Sequence, residues 1–585
     1  MPPFLAAAPP AFSRVAVIGA GAAGLVAARE LRRQGLRVVV FERDAAIGGT
    51  WVYTPATESD PLGLDPGRDI VLSSLYDSLR TNLPRESMGF LDYPFSSRRA
   101  PDGADTRRFP GHREVLRYLQ DFARDFDLYG LVRFHREVER VERDHDGRWQ
   151  VDSRCVDEAG GDGGDESEVF DGVVVCNGHF TQPRIAEIPG IDAWPGKQLH
   201  SHNYRVPEPF TDQVVLIIGS AASAVDISRD IARYAKEVHI SNRSLPDEPP
   251  RKQPGHDNMW LHSMIASTHS DGTVVFRDRS SVQVDVIIHC TGYNYHFPFL
   301  KTNGIITVDD NCVDPLYKHV FPPSHAPSLA FIGIPWKVAP FLMFELQSKW
   351  VAGVLSGRIT LPTKEEMLED VKAWYSELKS AGWPKRYTHN MTNKQFEYHD
   401  WLAKQCELPP VAEWKNLMYE AAGKNREVHP ESYRDEWDDD HLISQAEEDF
   451  RKFGERDPYH WLSAAFGIDD ALPPALGAFS SFYPAEDVDS PGTQREEGFI
   501  LREWRRRGAF LLDPIIRRFA KMLSSLRRRG RKRNVEIKLL LKLNNASKLF
   551  YEKGKLNCET NKVAKQRKRE AIPLQPGEVP HKKCP

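Results

Sequence analysis

The chain has 585 residues, enough for roughly two to four domains, with 41% apolar and 27% charged residues, the composition of an ordinary globular protein. No apolar run approaches the roughly 20 residues of a membrane span, and the start, MPPFLAAAPPAFS, lacks the charged region and long apolar stretch of a secretory signal. The net charge of −4 hides an asymmetry: residues 491–585 hold 26 Lys and Arg against 9 Asp and Glu, so the preceding 490 residues carry −21.

In chain order, Arg14–Ile18 is expected to be a strand, Ala22–Gln34 a helix stopped by Gly35, and Arg37–Phe41 a second strand. Between strand and helix, VAVIGAGAAG carries the G-x-G-x-x-G pattern at Gly19, Gly21 and Gly24. Such a turn aims free backbone N–H groups and the positive helix end at a pyrophosphate. Glu42 ends the second strand, where a carboxylate accepts from ribose hydroxyls and repels a 2′-phosphate; FAD or NAD fits and NADP does not. Arg113–Phe126 is amphipathic and helical after a turn at Pro110–Gly111, and residues 131–151 alternate as strands. Asp157–Glu168 reads as a flexible acidic loop, and Asp171–Cys176 as the strand closing the first nucleotide half.

A second strand–turn–helix follows. The apolar run Val214–Ile218 stops at Gly219, and the pattern Gly219, Ala221, Ala224 opens a helix near Ala222, with alanine small enough to keep close packing. Two such turns about two hundred residues apart imply two nucleotide cofactors. The next strand, Val238–Ser241, ends in Asn242-Arg243-Ser244 without a carboxylate. The planar donor fork of Arg243 suits a 2′-phosphate, which selects NADPH over NADH. Residues 273–289 read as a hairpin, and Leu329–Ile334 as a strand before a helix starting near Pro340, a favoured first residue. Lys364 to about Phe453 is mixed helix, and 455–490 is a Pro/Gly-punctuated linker. The basic tail is expected to be a poorly ordered appendage whose charge could attract nucleic acid or an anionic membrane face. Cys155, Cys176, Cys290, Cys312, Cys406, Cys558 and Cys584 form no C-x-x-C pair, which points to a reducing compartment, the cytoplasm, and away from a flavin disulfide reductase.

Gly196, His200 and Tyr204, spaced G-x-x-x-H-x-x-x-Y before the second turn, resemble the identifying sequence of flavin-containing monooxygenases, with Trp194 where that pattern opens on Phe. The wording HSHNYR looks most like the plant branch that S-oxygenates thioether metabolites, and the resemblance runs over about residues 12–455. It implies an α/β fold of two dinucleotide-binding Rossmann-like domains, an FAD domain (12–195 and 329–454) interrupted by an NADPH domain (196–328), with 455–585 as linker and basic tail. It further implies that Gly49, Thr50 and Trp51 wrap the flavin nucleotide, and that SLYDSLRTNLPRESMGFLDYPF, residues 74–95, passes the flavin ring and brings Asn82 to it as the catalytic amide. Cys290-Thr291-Gly292-Tyr293 matches the family's A-T-G-Y, adding Gly292 to the cofactor set, with Cys290 as a small apolar stand-in. The helix from Pro340 would point its N-terminus at the flavin, with Glu345 and Gln347 readable as plain helix formers.

The activity so implied is NADPH- and FAD-dependent insertion of one oxygen atom from O2 into a soft nucleophile, thioether sulfur or amine nitrogen, through a C4a-hydroperoxyflavin. No metal is expected, since no H-E-x-x-H or Cys/His ligand spacing occurs, and no nucleic acid is expected for the body. Asn82 beside Leu-Pro is otherwise a turn former, and His200 and Tyr204 are read as structural between domains. The alternatives are a Baeyer–Villiger-type oxygenase, against which Tyr204 stands where that class has Trp, an indole-pyruvate oxygenase, whose second turn is richer in Gly, and a non-catalytic nucleic-acid-binding protein led by its tail.

Overall fold

In the computed structural model, which describes residues 12–96, 103–156 and 164–455, the β-branched runs pair into two parallel sheets. Their elements, in chain order, begin with β1 (Arg14–Ile18), α1 (Ala22–Arg33), β2 (Arg37–Phe41), α2 (His112–Asp125), β3 (Val132–Arg133) and β4 (Gly172–Val175). Next come β5 (Lys197–His200), β6 (Val214–Ile218), α3 (Ala222–Ile231), β7 (Glu237–Ser241), β8 (Arg251–Lys252), β9 (Met259–His262) and β10 (Val286–His289). Last are β11 (Leu329–Phe331) and α4 (Pro340–Leu355). The first sheet has the order β11–β4–β1–β2–β3 and is parallel throughout. The second has the order β8–β9–β7–β6–β10–β5 and is parallel except for β8. Because β11 joins β4 only after the whole second sheet has been laid down, the second sheet is an insertion within the first.

The central strands β1, β4, β6 and β10 are almost wholly apolar because both faces are covered. In β1, Val15 and Val17 enter one core with α1, α2 and α4, while Ala16 and Ile18 enter another beneath the strands 136–143 and 149–155. The period of two likewise splits β6: Val215 and Ile217 face α3, and Leu216 faces the opposite core. Between α1 and α4 lies a buried ion network in which Arg29 bonds Glu30, Asp92 and Glu345, and Lys349 bonds Glu30 and Glu345. Removing any one partner there would strand a buried charge. Glu345 is thus more than a helix former. So is Gln347, which accepts from Gly333 N–H at 3.0 Å and donates to Tyr398 Oη at 2.9 Å.

Two expectations from sequence need correction. The hairpin within 273–289 consists of Thr273–Phe276 and Ser281–Gln283 only. Val286–His289 leaves it for the parallel sheet, because Val286, Ile287 and Ile288 are apolar on both faces and a hairpin edge would cover only one. Of the acidic loop, 157–163 lie outside the described residues, but Glu166–Phe170 is a strand paired with Trp149–Cys155. Glu166 and Glu168 face Arg133, Arg136 and Arg14, so cross-strand arginines neutralise a run that looks too charged to fold. The linker and basic tail beyond Glu455 also lie outside the described residues. Among the described residues, no helix is long and apolar enough to cross a membrane, and no group of three His, Cys, Asp or Glu could hold a metal ion.

Candidate functional site

At the end of β1 the chain turns at Gly19 with φ of +99°, a conformation that favours glycine, and its N–H donates to Phe41 O at 2.8 Å. A Cβ on Gly19 would lie 2.7 Å from Cys176 O, and one on Gly24 only 1.9 Å from Gly19 O, so both glycines serve close packing. Gly21 is different. Its φ of −73° suits any residue, and a Cβ would meet nothing nearer than Gly49 Cα at 3.6 Å. Its missing side chain instead leaves open the space before α1, whose N-terminus has no side-chain cap and so presents free amides.

Gly49, Thr50 and Trp51 form a tight turn across from Gly21, anchored where Gly48 N–H donates to Ala20 O at 3.0 Å and where Ser73 Oγ donates to Thr50 O. The Trp51 ring packs edge-on to Phe341, the second residue of α4, which brings that helix N-terminus to the same cradle. Glu42 closes it. The residue is 5% exposed, and its carboxylate accepts from Ala20 N–H at 2.7 Å and Asp44 N–H at 2.9 Å, leaving lone pairs for ribose hydroxyls. A surface glutamate is excluded.

Burial pushes the Glu42 carboxyl up to about 6, against the pull of those amides. A raised carboxyl favours the protonated fold, stabilising below its ordinary value and losing that contribution as pH rises through about 6. The ionised form is the full acceptor, so retention of a ribose-bearing nucleotide at this turn should be high above that pH and fall below it. Gel filtration of the holoprotein across this range should show the step, and Glu42→Gln should abolish it; a step surviving in the variant would assign it to another group.

The second turn repeats the first. Gly219 has φ of +121°, donates to Ser241 O at 2.9 Å, and would place a Cβ 2.4 Å from Cys290 O, as Gly19 does against Cys176. Ala221 caps α3 at φ −82°, ψ −174°, close to the −73°, −174° of Gly21, so alanine there strains nothing. Ala224 buries its methyl where Gly24 stands in the first turn. Arg243 lies two residues past the end of β7, exposed, its Nη2 donating to Tyr387 Oη at 2.5 Å. Gly292 has φ of +85° and no atom within 4 Å of a Cβ position; its carbonyl accepts from Arg184 N–H and His200 Nε2–H, each at 3.0 Å.

The motif between the turns is a staple. Burial pulls the His200 imidazole down to about 3, so it is neutral; Nδ1 accepts from His202 N–H while Nε2 donates to Gly292. Tyr204 Oη donates to Asp230 of α3 at 2.7 Å. Arg205, unremarked in the sequence although it ends HSHNYR, is buried and donates to the carbonyls of Thr54, Ala56, Ser73, His202 and Tyr204. Glu58, fully buried, accepts from Arg68 and His202 and pins the same loop. Glu58 and Arg68 lie only ten residues apart, but His202, which completes the bonding of Glu58, comes from far along the chain, so neither carries a local sequence signal.

The segment that carries Asn82 meets α2, the helix that also reaches Gly48 of the first cradle. His112 N–H donates to Leu79 O, its ring sits 5.2 Å from Tyr53, and Leu116 packs at Gly48. The Asn82 side chain is exposed and makes no hydrogen bond among the described residues, so it is not spent on a turn.

The family described as "Flavin-binding monooxygenase-like" matches residues 12–246 and 259–417. The chain is 59% identical over 437 residues to the Arabidopsis thaliana flavin-containing monooxygenase FMO GS-OX5, covering 74% of this chain and 94% of that protein. It is 59% identical over 440 residues to FMO GS-OX-like 4 of the same plant, covering 74% and 96%. The structure of S-allyl-L-cysteine S-oxygenase from Allium sativum matches with a TM-score of 0.73 at 65% identity, covering 75% of this chain and 98% of that one.

Proposed function

From the premise that the chain belongs to the flavin-containing monooxygenase family, we propose that it transfers one oxygen atom from O2 to thioether sulfur, with FAD in the Gly19 cradle and NADPH at the Gly219 turn. It is a flavin-dependent monooxygenase that uses FAD and NADPH. The observation that carries the assignment of each nucleotide to its turn is the contrast at equivalent strand ends: buried Glu42 after β2, exposed Arg243 after β7. In this reading the FAD domain comprises 12–195 and 329–454 and the NADPH domain 196–328. Sulfur is preferred to nitrogen because both the S-allyl-L-cysteine S-oxygenase and the GS-OX proteins match over three quarters of the chain or nearly so. The unpaired thiols of Cys155, Cys176, Cys290, Cys312 and Cys406 support a reducing compartment such as the cytoplasm.

When bound, the flavin accepts hydride equivalents from NADPH and activates dioxygen, one atom of which goes to sulfur and the other to water. The residues do the rest. The α1 amides and the open face of Gly21 receive the FAD pyrophosphate, and Glu42 accepts from ribose hydroxyls. The α3 amides behind Ala221 receive the second pyrophosphate, and the Arg243 fork the 2′-phosphate. Trp51 and Phe341 wall the cradle against water, and the free amide of Asn82 can donate and accept at once beside the reacting edge.

Incubating the flavin-loaded protein with NADPH, isotopically labelled dioxygen and either S-allyl-L-cysteine or N,N-dimethylaniline tests this. Labelled sulfoxide should dominate; N-oxide alone would overturn the sulfur assignment. Arg243→Ala should lose roughly 1.5–3 kcal/mol of charge-assisted bonding, or about one to two decades in kcat/KM for NADPH. NADH kinetics should hardly change. Equal losses with both would make Arg243 structural, through its Tyr387 contact.

A further inference from the structure

The segment that presents Asn82 is held by a crossed pair of arginines. Arg434 binds Asp226 of α3 with both nitrogens, at 3.0 and 2.7 Å, while its Nε donates to Thr81 O at 2.9 Å and its Nη2 to Arg80 O at 3.3 Å. Arg80 returns the contact, binding Asp435 at 2.9 and 2.8 Å and donating to Phe109 O and Arg434 O. The Arg434 guanidinium stacks on Tyr433, itself buried against Phe109. From the same helix α3, Asp226 accepts from Tyr76 Oη at 3.0 Å, and Asp230 accepts from Ser78 Oγ at 2.8 Å. Tyr76 and Ser78 are therefore tied to α3, Arg80 and Thr81 to the 433–435 segment, and Asp77 and Leu79 to Arg205 O and His112 N–H, while the Asn82 side chain that follows is free.

We infer that Arg434 is a positioning residue, a clamp that ties the helix receiving the NADPH pyrophosphate to the strand of chain carrying Asn82, so that nucleotide occupancy and the place of the Asn82 amide are mechanically joined. The inference rests on the role given to Asn82 above. Bidentate geometry suits it: a planar fork fixes angle as well as distance, which a lysine cannot do. Sequence spacing hides it, since Asp226, Arg434 and Thr81 are remote from one another in the chain.

The test uses the full-length holoenzyme and four variants: Arg434→Met, Arg434→Lys, Asp226→Asn and Asn82→Ala. For flavin-replete protein, sulfoxide formed per NADPH consumed should fall in Arg434→Met by roughly tenfold, within what an ångström of misplacement produces. Arg434→Lys should restore only part of it. Amide hydrogen exchange over residues 77–83 should accelerate in Arg434→Met with no change over 22–33, and the slowing of that exchange when NADP+ binds the wild-type protein should be absent from the variant. Should Arg434→Met not fold, the lysine and Asp226→Asn variants carry the same two readouts. Asn82→Ala uncoupled but Arg434→Met, or its two substitutes, fully coupled would overturn the clamp alone. Asn82→Ala fully coupled would overturn the Asn82 assignment and the clamp with it.

Discussion

Gly21→Leu should give a folded protein that purifies without flavin and oxidises no NADPH. Each glycine of the first turn serves a different purpose. Gly19 and Gly24 are required by packing against Cys176 O and Gly19 O, so substituting them breaks the fold. Gly21 has ordinary dihedrals and open space on its Cβ side, and Ala221 shows that the same conformation accepts a methyl in the second turn. A leucine side chain there enters the region in front of the α1 amides, where a pyrophosphate has to approach. Displacing it by a steric cost of ~3 kcal/mol weakens FAD by roughly a hundredfold. Absorbance of the flavin per protein, read beside a thermal melt, is the measurement. Gly21→Leu with a full complement of flavin would remove FAD from this turn.

Asn82→Ala should leave flavin content and NADPH-driven flavin reduction close to wild type while most of the NADPH consumed goes to hydrogen peroxide and not to sulfoxide. The backbone on either side is fixed by Thr81 N–H to Pro110 O at 2.9 Å, by Arg434 to Thr81 O, and by Leu83 packed on the main core, so truncating an exposed, unbonded amide costs the fold little. The loss falls on chemistry. The loss of an amide hydrogen bond to the bound flavin is worth about 1–3 kcal/mol, which spans roughly five- to a hundredfold in the partition between product and peroxide. Asn82→Asp should uncouple as well, because an ionised carboxylate has no donor. Peroxide and sulfoxide per NADPH are the readouts. A flavin-replete alanine variant that stays coupled would end the claim, and reduced expression with unchanged coupling would make Asn82 a structural residue after all.

The strands and turns of both nucleotide sites were legible in the sequence, several to the residue. Arg14–Ile18, Arg37–Phe41 and Val214–Ile218 are short runs rich in β-branched residues, the first and third followed by small-residue turns, and such patterns leave one local solution. The places of the carboxylate and the arginine at the two strand ends could be read the same way, because they follow from distance along the chain to a turn. Where local pattern was ambiguous, tertiary pairing decided. Val286–His289 could close a hairpin or enter a buried sheet, and only the neighbours β5 and β6 settle which. Glu166 and Glu168 looked like loop until arginines from Arg14 to Arg136 faced them.

The buried polar staples were beyond reach for a related reason. Arg205 bonds five carbonyls, Glu58 bonds an arginine and a histidine, and Arg434 joins Asp226 to Thr81, yet none of these residues differs in composition from a solvated surface charge. Whether such a group is buried and satisfied depends on partners far away in sequence, brought within 3 Å or so only once the sheets have formed. By itself the sequence determined the two turns and their order, because both are short-range. Only the tertiary structure decided how the segment bearing Asn82 is held beside them, because that rests on hydrogen bonds that span hundreds of residues.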